Sequence, residues 1–185
     1  FAPIVFYWVL SKLALGSDVA VGLAVAAICA LIVWPIHALA TRIYGTPKAG
    51  LAAALLYLCS PMSLMLSNAG IDGVVALLVA LFIERLDAVA RHGRWPVAIQ
   101  AGILLFLCSL MSFGGTVVLV FGGLWLLHQS LASTRDTTQG FARCAWILML
   151  VLLSALALHG GLYLVMGGKF SYLASMSAAT GAHKQ

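Results

Sequence analysis

The chain is 185 residues long, 63% hydrophobic and only 8% charged, with a formal charge of +5. A soluble domain carries about 25% charged residues, so this composition has too little polar surface to cover a globule in water. The basic residues sit in short patches between apolar runs and form no nucleic-acid module, which excludes nucleic acid and points to the lipid bilayer as the partner.

Residues 1–15 are apolar and aromatic, with Phe1, Phe6, Tyr7 and Trp8 around Pro3, until Lys12 and then Gly16-Ser17-Asp18 break the run. About fifteen residues are too few for an ordinary span, and the pattern predicts a short N-terminal interfacial helix with its rings at the headgroup level. Residues 19–40 form the first full span, long enough at about 1.5 Å per residue to cross a core of roughly 30 Å. Asp18 is placed to cap it, and Pro35 predicts a kink that frees a backbone carbonyl one turn earlier. His37 reads as an interfacial histidine. A compact turn with Arg42 and Lys48 leads into the second span, 49–66, whose Gly50, Ala53 and Ala54 are small enough for close helix contact.

The third span is 71–90. Glu84, Arg85, Asp87 and Arg91 mark its exit from the membrane, and the Asp87–Arg91 spacing allows an i,i+4 pair. After a turn at 92–96, Pro96 suits a first helical position and Trp95 an interface. Spans at 97–111, 116–131 and 141–166 follow, and 170–185 reads as a loop or surface helix. The four cysteines lie in or beside apolar runs, with no spacing for a metal site, and read as small packing residues. The fold expected is all-α: one polytopic transmembrane helix bundle of about six spans plus the interfacial helix.

Loop cations orient it. With the 42–48 turn in the cytoplasm, Arg42, Lys48, Arg85, Arg91, Arg94, Arg135 and Arg143 fall inside, and Lys12, Lys169 and Lys184 outside. The 60–72 turn is then extracytoplasmic. It is a short polar interruption between two apolar runs, closed by Asp72. Asn68 or Asp72 can cap the following helix, or Asp72 can line a polar cavity with Asn68 and meet a cation, a sugar hydroxyl or a phosphate. Lys169, His183 and Lys184 offer positive charge to a phosphate headgroup, or are simply solvated and snorkelling side chains. No Ser/His/Asp set, phosphate loop, zinc motif or dinucleotide fingerprint is present.

The order of these features resembles the polytopic glycosyltransferases of the GT-C superfamily, of the protein mannosyltransferase and aminoarabinose transferase type. The matching stretches are Ala2-Pro3-Ile4-Val5-Phe6-Tyr7-Trp8-Val9-Leu10, Thr41-Arg42-Ile43-Tyr44-Gly45, Ala49-Gly50-Leu51-Ala52-Ala53-Ala54-Leu55-Leu56, Ser60-Pro61, and Asp72 opening the next helix. They cover most of residues 1–90. The resemblance implies an internal fragment of an integral membrane enzyme of the bacterial inner (plasma) membrane, transferring sugar from a polyprenyl-phosphate donor on the extracytoplasmic face. The family's catalytic carboxylate would precede Phe1, so no catalytic residue is implied here. Asp72 is then an accessory cavity residue, and the metal is unknown, with room for a divalent cation. Two other readings of the residues stand beside it: a transporter or permease fragment, and a non-catalytic membrane subunit.

Overall fold

The computed structural model describes residues 2–13, 17–61, 71–112, 115–132 and 137–166. Their ordered elements are α-helices, with no strand among the described residues: α1 (Ala2–Leu13), α2 (Asp18–Ala30), α3 (Val33–Tyr44), α4 (Pro47–Leu58), α5 (Ile71–His92), α6 (Trp95–Met111), α7 (Gly115–Ala132) and α8 (Thr137–Val165).

Local chemistry sets the boundaries. Ser17, rather than Asp18, caps α2: its Oγ accepts from the Ala20 amide at 3.4 Å, while Asp18 lies in the first turn, where its negative charge is stabilised by the positive end of the helix dipole. Leu31 and Ile32 form a turn between α2 and α3. The cause lies one turn later. Pro35 has no amide to give the Leu31 carbonyl, which instead accepts from Trp34 at 3.1 Å. The helical ladder is therefore interrupted one turn before Pro35, within a helical stretch that runs from Asp18 to Tyr44. Gly45 ends α3 at φ 70°, a left-handed conformation that a side chain would strain, and Thr46 then caps α4. Gly93, at φ 66°, makes the same kind of reversal between α5 and α6.

α5 is the hub. It packs against α2, α3, α6, α7 and α8. Its Phe82, Leu86, Val89 and Ala90 meet Ala98, Ala101 and Leu105 of α6, Leu126 of α7, and Cys144, Ile147, Val151 and Ala155 of α8 in one core. Val25 and Cys29 of α2 with Val74 of α5 form a second core, against which Phe6 and Leu10 of α1 pack. Small residues permit the closest approaches. A Cβ on Gly102 of α6 would lie 1.8 Å from Ser154 Oγ and 2.5 Å from the Val151 carbonyl of α8. One on Gly50 of α4 would lie 2.1 Å from Thr41 Oγ1 of α3, so of Gly50, Ala53 and Ala54 the close contact is formed at Gly50, while Ala54 is buried and Ala53 half-buried.

Two helical stretches, Asp18–Tyr44 and Thr137–Val165, are long and apolar enough to cross a membrane, and only 22% of each apolar window is buried. That low burial distinguishes them from the core helices of a water-soluble protein. Large side chains such as Leu23, Trp34, Leu56, Phe121, Leu124 and Leu156 stand exposed on the outside, a surface suited to hydrocarbon rather than water. The helices at 71–92, 95–111, 115–132 and 137–165 lie close to the expected segments. The second segment differs. α4 stops at Leu58 instead of reaching residue 66, and its 12 residues span only about 18 Å. Three of the four cysteines are buried packing residues, whereas Cys59 is exposed.

Candidate functional site

Of the residues singled out from sequence, Asp72 lies in the first turn of α5 and is exposed. Asn68, Lys169, His183 and Lys184 lie outside the described residues, as does most of the 60–72 turn, so no structural grouping with Asp72 is drawn for them. The described residues contain no group of three or more His, Cys, Asp or Glu side chains that could hold a metal ion.

Polar groups gather instead at two other places. The first is the far end of α5. Glu84 and Asp87 were expected where the helix leaves the membrane, yet both are enclosed: Asp87 has no exposed surface and Glu84 only 5%. Burying a carboxylate is costly unless cations meet it. Arg42, at the end of α3, donates through Nη2 to Glu84 Oε1 and through Nη1 to the Glu84 backbone carbonyl at 3.2 Å. Its Nη1 is also 3.8 Å from Asp87 Oδ2. Arg85 Nε lies 3.0 Å from Glu84 Oε2. Arg91 Nε donates to both Asp87 oxygens, at 3.1 and 3.0 Å, which forms the expected i,i+4 pair. Arg143 of α8 reaches the same end and donates to the Arg91 carbonyl at 3.4 Å.

The second place joins α6 to α8. Ser109 Oγ is 3.0 Å from His159 Nε2 and 2.7 Å from the Phe106 carbonyl one turn back. His159 Nδ1 is 2.9 Å from the Ala155 carbonyl. A carbonyl only accepts, so Nδ1 carries a proton, while the one hydrogen of the Ser109 hydroxyl goes to the Phe106 carbonyl and its oxygen lies within hydrogen-bond distance of Nε2. The Phe106 ring meets the imidazole edge-on, with centroids 4.6 Å apart. The arrangement supplies one oriented imidazole and one hydroxyl near the end of the bundle opposite Arg42. Sequence reading missed this pair, because 50 residues separate its members and only the packing of α6 on α8 unites them. The faint signal was a serine and a histidine inside apolar runs.

Together these features define an all-helical protein with helices fit to span a membrane, a buried ionic network at one end, and Asp72 at the other end of the same central helix. No protein-family model matches the chain, and comparisons with curated proteins and with solved structures give no match.

Proposed function

We propose that the chain is the membrane-embedded helical part of a polytopic glycosyltransferase that takes sugar from a polyprenyl-phosphate donor on the extracytoplasmic face. In this reading it crosses the bilayer about six times in a bacterial inner membrane. The observation that carries the reading is the separation of charge along α5. Arg42, Arg85, Arg91 and Arg143 gather around one end, and Asp72 lies in the first turn at the other. Cations favour the cytoplasmic side, so Asp72 faces the compartment where a lipid-linked donor would be met. Its role there is accessory: an exposed carboxylate that accepts hydrogen bonds from sugar hydroxyls, with the base that activates the acceptor lying on sequence outside this chain. The family resemblance of residues 1–90 supports the assignment to sugar transfer.

In the complete protein, Asp72→Asn and Asp72→Ala should each lower transfer from a lipid-linked sugar by about tenfold or more, the scale of one lost polar contact to substrate. Unchanged turnover would reduce Asp72 to a helix-start acid. One observation favours the transporter reading. The break at Leu31 and Ile32 lies near the middle of the Asp18–Tyr44 stretch, and interrupted helices line transporter sites. Solute flux into vesicles without any sugar transfer would select it.

A further inference from the structure

The cation-rich end of the bundle holds more positive charge than its own carboxylates neutralise. Among the described residues, Arg42, Lys48, Arg85, Arg91, Arg94 and Arg143 belong to helix ends and turns on that side, against Glu84 and Asp87. Both carboxylates are already engaged by Arg42, Arg85 and Arg91. The excess collects at the α5–α6 turn.

Arg143 crosses from α8 to that turn. Its Nη2 donates to the Arg91 carbonyl and lies at ordinary contact distance, 3.7 Å, from the point a Cβ on Gly93 would occupy. Arg91 gives its Nε to Asp87 and keeps 38% of its side chain exposed. Arg94, the next residue after Gly93, is exposed and precedes α6 without a side-chain cap on the first amides of that helix. Arg143 therefore reaches the turn that carries Arg94, and neither has a carboxylate partner among the described residues, whereas Arg91 beside them is already paired with Asp87. Like charges gathered in this way repel, and a bound anion removes the repulsion.

We propose that this turn binds the phosphate of an anionic glycerophospholipid. A guanidinium fork matches phosphate oxygens in pairs, and basic pockets between membrane helices hold anionic headgroups. The surroundings favour a lipid over a free phosphate. Trp95 beside the turn is exposed, and so are Phe141 and Trp146, which flank Arg143 along the start of α8. Exposed aromatic and apolar surface next to a phosphate site provides a seat for the glycerol and acyl chains. The proposal rests on the membrane reading of these helices and is independent of sugar transfer.

The test reconstitutes the full chain in phosphatidylcholine nanodiscs, with phosphatidylglycerol as the probe and native mass spectrometry as the readout of retained lipid. The wild-type chain should retain phosphatidylglycerol preferentially. Arg94→Gln/Arg143→Gln should weaken that preference by about 25-fold, at roughly fivefold for each arginine, with helical content unchanged by circular dichroism. Arg143→Lys keeps the charge but loses the fork, and should give a smaller loss even if the double variant folds poorly. Lys48→Gln, at the same end but away from the turn, should leave retention unchanged; an equal loss there would mean diffuse surface charge and overturn the site. Displacement of the lipid by inorganic phosphate would overturn the lipid assignment. Equal retention of both lipids by the wild type would overturn the proposal, whereas failure to enter the nanodiscs at all would overturn the membrane reading beneath it.

Discussion

Removing Arg42 should destabilise the bundle more than neutralising the carboxylate it meets. Taking one partner from a buried ion pair costs about 3–5 kcal/mol, because the other charge stays buried without compensation. Two features reduce the figure here. The Arg42 side chain is 32% exposed, and Glu84 keeps Arg85 at 3.0 Å after Arg42 is gone. Arg42→Gln should therefore cost about 2 kcal/mol. Glu84→Gln leaves a guanidinium that water can reach and that still has Asp87 nearby, and should cost about 1 kcal/mol. The double variant should be more stable than the sum of the singles by about 1 kcal/mol, since neither then strands the other. Reversible unfolding in mixed detergent micelles, with the denaturing detergent titrated in, measures all three. Additive losses, or a larger loss for Glu84→Gln, would refute the reasoning that the enclosed carboxylate is the vulnerable partner.

Two more outcomes follow from the packing of α6 on α8. Gly102→Ala sets a methyl group against the Val151 carbonyl and Ser154 Oγ, and should cost about 2 kcal/mol in the same unfolding assay; Gly123→Ala, whose Cβ meets nothing within 4 Å, should cost nothing. Ser109→Ala and His159→Phe should each lose about 1 kcal/mol, and the double variant no more than either, because both remove one interhelical bond. Strictly additive losses there would mean that the two side chains act separately.

The helices were largely legible in the sequence because hydrocarbon-length apolar runs leave little choice of structure. Proline and glycine punctuation added detail, as at Pro35, whose missing amide breaks the helix one turn earlier at Leu31. α4 was overextended because apolar sequence continues past Leu58, and hydropathy alone does not register where a helix turns. The ionic network was only half legible. Asp87 and Arg91 lie one turn apart on one helix, so spacing alone pairs them, whereas Arg42 belongs to another helix and meets Glu84 only through packing. Charges near the end of an apolar run looked like an exit into water. Enclosure by α3 gave them a different role. For the candidate site, sequence located Asp72 but could not supply neighbours for it.

Arg42 has a further consequence for a chain that is still being made. Glu84 has a counter-charge in the adjacent Arg85 and Asp87 one four residues on in Arg91, so the acids of α5 are balanced within that helix. Arg42 has no such local partner among the described residues; its carboxylates are 42 and 45 positions later in the chain. Until α5 arrives, the segment before it holds a guanidinium whose counter-ion has not yet been synthesised. Completion of α5 is thus the step at which Arg42 first meets Glu84 and Asp87, after α3 and α4 already have each other to pack against.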